Sequence, residues 1–291
     1  MSDLLLSYAQ NREDLILWVL LHDVKAGFYV DVGANDPTID SVTKFFYERG
    51  WHGINLEPIP SVYKRIEESR PRDINLNMGA SDTPGELTLR EYSDGWHGWS
   101  TLSPATKKAH ANKKHQDYTV QVATLRDIFA EHKVKQIDFL KVDVEGFEYE
   151  VLSGNDWKKY RPKVVVVEGK KQKWIKFLTD VDYTVTFFDG LNTYFVRNDL
   201  TKTHTMDDYT SVLLAGQTVL TNREYSLNEQ YKVANRIADT LNKDLTNLKK
   251  RYDSLDSRWR EIQQNPEKFI GIRRLAAGLA RRLLMKGSRH S

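Results

Sequence analysis

Phe28-Tyr29-Val30-Asp31-Val32-Gly33-Ala34-Asn35-Asp36 (28–36) is an apolar, β-branched run that ends abruptly in a polar turn holding a single glycine. Similar runs recur downstream: HGINLEP (52–58), INLNMGA (74–80), DFLKVDVEG (138–146) and KVVVVEG (163–169). Helical patterns such as SVTKFFYERG (41–50) and SVYKRIEESR (61–70) lie between them. Strands that are apolar nearly throughout, alternating with amphipathic helices, make an α/β fold around a mostly parallel sheet covered on both faces. After KKQKWIKFLTD (170–180), the runs YTVTFFD (183–189) and NTYFVRN (192–198) follow with only Gly190-Leu191 between them, which predicts an antiparallel hairpin on the sheet edge.

Bulk composition narrows the function. The 291 residues are 40% hydrophobic and 29% charged, ordinary for a soluble globular chain, and the net charge of +3 is too small to argue for nucleic acid. Without cysteine there is no disulfide scaffold and no thiolate metal site. The opening segment is broken by Asp3, Arg12, Glu13 and Asp14 and does not read as a secretory signal. No stretch approaches the roughly 18 apolar residues of a membrane span. The expected compartment is the cytoplasm.

In an open α/β sheet, ligands sit beyond the carboxyl ends of the strands, at the point where strand order reverses. The 31–36 turn has one glycine, too few for the backbone to cradle a dinucleotide pyrophosphate but enough for S-adenosylmethionine, which has no phosphate. Glu57 ends the next strand and can accept from both ribose hydroxyls; otherwise it is a solvated charge before Pro58. Gly79-Ala80-Ser81-Asp82 would border the adenine. On the fourth strand, Lys141, Asp143 and Glu145 share one face by the period of two. Such charges are costly in an apolar strand unless paired or used, so they form either a structural ion pair or a catalytic edge.

The runs GFYVDVGANDPTIDSVTKFFYERGWHGINLEP (27–58), STL (100–102), IDFLKVDVEGFEYEVLSG (137–154) and FDGLNTYFV (188–196), with SYAQNREDLIL (7–17) before them, resemble the FkbM family of methyltransferases. Arg12 departs from that family's pattern, which usually carries glycine there. The resemblance implies the class I methyltransferase (Rossmann-like) sheet of seven strands with helices on both faces, S-adenosylmethionine, and O-methylation of a sugar or natural-product hydroxyl. With it, the expected cofactor contacts are Gln10, Asp31, Gly33, Asn35, Ser41, Glu57, Pro58, Ala80, Ser81 and Asp143. Removing a hydroxyl proton falls to Asp143 or Glu145, with Lys141 and His97 as further catalytic candidates. Asp143, Glu145 and Glu168 could together hold Mg²⁺. Between Gly95 and His115 the chain leads into no evident strand; Trp96 and Trp99 could stack on a sugar there, and Lys107, Lys108, Lys113 and Lys114 suit an anionic acceptor or form a solvated face.

The catalytic domain is expected over residues 1–215, followed by a coiled coil over 222–264. Leu227, Tyr231, Ala234, Ala238, Leu241, Leu245, Leu248, Tyr252, Leu255, Trp259 and Ile262 alternate at spacings of four and three, a heptad seam for parallel self-association or a long helix packed back on the domain. Asn265-Pro266 breaks that helix. Residues 266–287 combine an apolar stripe (Phe269, Ile272, Ala276, Leu279, Leu283) with Lys268, Arg273, Arg274, Arg281, Arg282 and Lys286, the pattern of a helix lying on an anionic membrane surface. A partner-binding helix and a nucleic-acid tail share that pattern. Taken together, the parts suggest a glycan methyltransferase on the cytoplasmic face of the membrane. A soluble natural-product enzyme with an oligomerising tail and a non-catalytic scaffold are the competing readings.

Overall fold

The computed structural model describes residues 6–92, 99–200, 220–221 and scattered positions between 243 and 264. The chain forms two compact units, Met1–Ser226 and Leu227–Ser291.

In the first unit, β1 (Leu6–Ser7) precedes α1 (Glu13–Leu20), then β2 (Phe28–Val32), α2 (Lys44–Glu48), β3 (His52–Leu56), α3 (Pro60–Ser69) and β4 (Ile74–Leu76). Next come β5 (Gly79–Ala80), β6 (Gly85–Tyr92), α4 (Pro104–Ala109), β7 (His115–Ala123) and α5 (Leu125–Glu131). The unit continues with β8 (Phe139–Val142), α6 (Glu148–Ser153), β9 (Val164–Glu168), α7 (Gln172–Asp180), β10 (Tyr183–Phe188), β11 (Asn192–Arg197) and β12 (Leu220–Thr221). The main sheet has seven strands in the order β10-β11-β9-β8-β2-β3-β4. The pairs between β9, β8, β2, β3 and β4 are parallel, and β11 alone runs against its neighbours β9 and β10. The expected edge hairpin is β10–β11.

Alternation along each strand sorts the side chains into two cores. Tyr29, Phe139, Val164, Val166 and Tyr194 face α1 and α2, meeting Leu17, Phe45, Phe46 and Trp51. Val30, Val32, Leu140, Val142, Val165 and Val167 face the other way, onto Phe129 of α5, Leu152 of α6 and Trp174 of α7. Burial on both faces explains the unbroken valine run of β9. Arg12, just before α1, has φ of +66°, a left-handed conformation that glycine adopts without penalty. That accounts for the family's usual glycine at this position.

Two sequence expectations change. The run 74–80 is not one strand: it breaks at exposed Asn77, whose Nδ2 donates to the carbonyls of Glu57 (2.9 Å) and Pro58 (3.1 Å). Here β4 stays on the main sheet and β5 joins a separate three-stranded sheet, β5-β7-β6. The segment up to His115 does lead into a strand. β7 pairs antiparallel with β6 from Gly85↔Val122 to Tyr92↔His115. Only Val120 and Val122 of β7 are buried, against Leu89 and α3's Val62 and Ile66, so its solvent face reads as loop. Between the two strands, Ser103 Oγ accepts from Thr106 N (3.3 Å) to cap α4.

In the second unit, the described positions between 243 and 264 are helical, with Arg260 and Asp256 paired at 2.7 Å one turn apart. The heptad seam residues and the basic segment 266–287 lie outside the described residues. Among the described residues, no helix is long and apolar enough to cross a membrane.

Phe139 is fully buried and packs on Tyr29, Phe46 and Trp51. Phe139→Ala is expected to cost about 3–5 kcal/mol, read as a lower urea midpoint with an unchanged slope.

Candidate active site

β2 has β3 on one side and β8 on the other, so the chain reverses its direction of travel across the sheet there. The crevice above this switch point is closed by the turn after β2. Gly33 has φ of +80°, and its N–H and that of Ala34 donate to the Leu56 carbonyl (3.0 and 3.1 Å). A Cβ at Gly33 would run into the Asp143 carbonyl oxygen. Asn35 is left-handed as well, at φ of +52°, and its N–H donates to Glu57 Oε2 (3.0 Å). Ile59 N donates to Oε1 of the same carboxylate (2.9 Å). Burial pushes the Glu57 carboxyl up to about 7, against the lowering effect of these two donors. Each oxygen keeps a lone pair for a further hydroxyl donor.

The crevice opens onto about 670 Å³ of space with Gly33, Asn35, Glu57, Pro58, Ala80 and Asp143 on its wall. Sequence reasoning missed its apolar lining, Ile59, Met78, Leu89 and Leu102. Leu89 comes from β6 and Leu102 from the segment after it.

Other expected contacts are placed differently. Asp31 is buried beneath the turn: Oδ2 accepts from Thr43 Oγ1 (3.0 Å) and Oδ1 lies 3.2 Å from Lys141 Nζ, an ionic contact without hydrogen-bond alignment. Ser41 is buried against Arg70, whose Nη2 donates to its Oγ (3.1 Å). Ser81 is buried and its N–H donates to the Ala123 carbonyl (3.0 Å). Gln10 is exposed and lines no part of the crevice. Asp31, Ser41 and Ser81 support the crevice from behind its wall. Lys141, expected as a catalytic candidate, is buried in an ion-pair cluster beneath the turn. It is opposite Asp31 in register, and its buried ammonium donates to the Gly33 carbonyl (3.2 Å) and lies 3.4 Å from Asp143 Oδ2. Burial lowers its pKa, but the Asp31 and Asp143 carboxylates outweigh that and raise it, so it stays charged. His97 and Trp96 lie outside the described residues; Trp99 stands against His110, ring centroids 5.0 Å apart.

Asp143, Glu145 and Glu168, from the ends of β8 and β9, bring carboxylate oxygens within 4.8 Å of one another. Burial, then the Asp143 and Glu145 charges, push Glu168 up to about 9. Burial and the Asp143 charge push Glu145 up to about 7. Glu145 is held left-handed, φ +51°, with its carbonyl accepting from Thr101 Oγ1 (2.7 Å) and Thr106 Oγ1 (3.0 Å). This gives the 100–102 motif a physical role: it pins the acidic turn. Beyond Glu145 a second cleft of about 650 Å³ opens, lined by Thr106, Glu168, Lys171 and Phe188. Glu145 borders both spaces.

Residues 31–198 match the methyltransferase FkbM domain. The chain belongs to the FkbM methyltransferase family. The FkbM domain match begins at Asp31 and ends after β11, so it spans the carboxyl ends of β2, β3, β8 and β9 that form the site. No curated protein sequence matches the chain. Among solved structures it is similar to a TehB-like SAM-dependent methyltransferase from Corynebacterium glutamicum ATCC 13032 Kitasato, at 8% identity and TM-score 0.32, covering 64% of this chain and 87% of that one. A putative RNA methyltransferase from Pyrococcus horikoshii gives 11% and 0.35, covering 64% and 82%. A precorrin-6y C5,15-methyltransferase from Geobacter metallireducens GS-15 gives 12% and 0.33, covering 67% and 95%. The family assignment rests on the domain match, not on these likenesses. FkbM proteins use S-adenosylmethionine, and the crevice fits it: a glycine where a side chain would collide, a buried carboxylate at the second strand end, and apolar walls beyond.

Gly33→Ala is expected to abolish S-adenosylhomocysteine binding while far-UV circular dichroism stays close to wild type; retained affinity would show that the turn does not hold the cofactor. Glu13, Glu57 and Glu145 each have a carboxyl raised to about 7, mainly by burial. A raised folded pKa means stability present below the unfolded value and lost as pH rises through the folded one. Thermal stability is therefore expected to fall between roughly pH 5 and pH 8, the reverse of acid denaturation.

Proposed function

We propose that the protein methylates a hydroxyl group, on a sugar of a glycan or polysaccharide. The observation that carries this reading is the carboxyl edge of Asp143, Glu145 and Glu168, standing between the crevice above Gly33 and an open cleft. A hydroxyl is a poor nucleophile until its proton has somewhere to go. Glu145, at about 7, is matched to accept that proton near neutral pH, and its left-handed backbone is strain of the kind held at working sites. Bound S-adenosylmethionine supplies the methyl group, already activated on a sulfonium. Asp143, reaching into the crevice from the end of β8, aligns the acceptor with that group. Glu168, protonated at neutral pH, donates towards Asp143 and keeps the two acids from repelling each other.

The same three side chains form an oxygen-only donor set of the type Mg²⁺ takes; an ion there would acidify the acceptor hydroxyl. The cleft sets three glutamates, Glu145, Glu148 and Glu168, against Lys171, so it suits an uncharged polyol better than an anionic one. Exposed Phe188 offers an apolar ring to a sugar face. Self-association through the 222–264 heptads, and attraction of the 266–287 segment to anionic lipid at the cytoplasmic face, would bring the enzyme to a lipid-linked chain.

The test is transfer of labelled methyl from S-adenosylmethionine to a panel of glycans. Asp143→Asn is expected to lower turnover by about 10²-fold or more while largely sparing S-adenosylhomocysteine affinity. Unchanged turnover in that variant would remove Asp143 from the reaction, and label recovered on nitrogen or carbon would overturn O-methylation.

A further inference from the structure

At the opposite end of the sheet, where β8 and β9 begin, lies a separate cavity of about 350 Å³. Its wall carries five cations, Lys135, Lys159, Arg161, Lys163 and Arg197, and no Asp or Glu. Three of these are paired with acids outside the lining: Lys163 with Asp138 (2.9 Å), Arg197 with Asp199 (2.6 Å) and Arg161 with Asp182 (3.6 Å). Lys135 forms no ion pair among the described residues, and Lys159 meets only the Tyr160 ring, 4.7 Å from its centroid, and the nearby Asp156 charge. The Arg161 contact is long, its Asp182 partner is largely exposed, and its own Nε is buried without a hydrogen-bond partner. Like charges gathered in a hollow repel one another unless an anion fills it. The Arg161 guanidinium fork with the Lys135 and Lys159 ammonium groups on the same wall matches an anion with several oxygens.

We propose that this cavity binds a phosphate-bearing anion, a phosphomonoester or diphosphate group. The strand β9, five residues long, separates it from Glu168 by on the order of 15 Å, so the bound group takes no part in methyl transfer. It would hold an anchor or an effector while the carboxyl end of the sheet does the chemistry.

Calorimetric titration of the full-length protein with inorganic pyrophosphate, at fixed ionic strength, tests this. Wild type is expected to bind one equivalent. The double variant Lys135→Glu/Lys159→Glu, both exposed positions, is expected to lose roughly tenfold or more in affinity. Lys25→Glu/Lys158→Glu changes the net charge equally without touching the cavity and should bind as wild type. Absence of saturable binding, or equal loss in both double variants, would overturn the site. Vesicles of phosphatidylglycerol in phosphatidylcholine separate the sources. Weaker vesicle binding by the cavity variant than by the control variant assigns a lipid headgroup, and equal vesicle binding with pyrophosphate affinity lost assigns a soluble phosphate.

Discussion

A buried ammonium organises this molecule. Lys141 stands between Asp31 on β2 and Asp143 at the end of β8 and donates to the Gly33 carbonyl, so one side chain ties the two central strands to the turn between them. Buried ion pairs add little net stability, because desolvation consumes most of the attraction. What they fix is geometry. Removing the ammonium would leave the Asp31 carboxylate buried without its counter-charge, whereas loss of the Asp143 charge leaves Lys141 still paired with Asp31. Arg70 does a parallel service from the other side, holding the carbonyl of Pro37 (2.6 Å) and Ser41 behind the same turn.

Above that foundation, the carboxyl ends of β8 and β9 hold acids at separations that would be untenable in full ionisation. Burial and mutual repulsion resolve this by keeping protons on Glu168 and partly on Glu145. The site thus stores proton-accepting capacity near neutrality in its carboxyl groups. Thr101 and Thr106 hold the turn that presents it, and both come from the segment joining β6 and β7. The small three-stranded sheet is therefore part of the site, since Leu89 and Leu102 also wall the cofactor crevice.

Much of this was legible in the sequence, because parallel strands advertise themselves. Five apolar runs, each ended by a polar turn, placed Gly33, Glu57, Asp143 and Glu168 at strand ends, and strand ends converge in a doubly wound sheet. Period two put Lys141 and Asp143 on one face, yet could not show that register sets Asp31 opposite Lys141, which decides between ion pair and catalyst. The family resemblance offered Asp31, Ser41 and Ser81 as cofactor contacts; their depth beneath the crevice wall is not visible in sequence. β7 escaped because only alternate residues are buried against α3, and half-polar strands look like loops. The basic cavity draws cations from positions 135 to 197, which only the tertiary fold gathers.

The most direct measurement is calorimetric titration of the purified protein with S-adenosylhomocysteine, with and without Mg²⁺. One-to-one binding is predicted, and a change in affinity with the ion would place it at the Asp143 edge. Absence of binding under both conditions would contradict the account, leaving the crevice above Gly33 without its cofactor and the carboxyl edge without a methyl donor beside it.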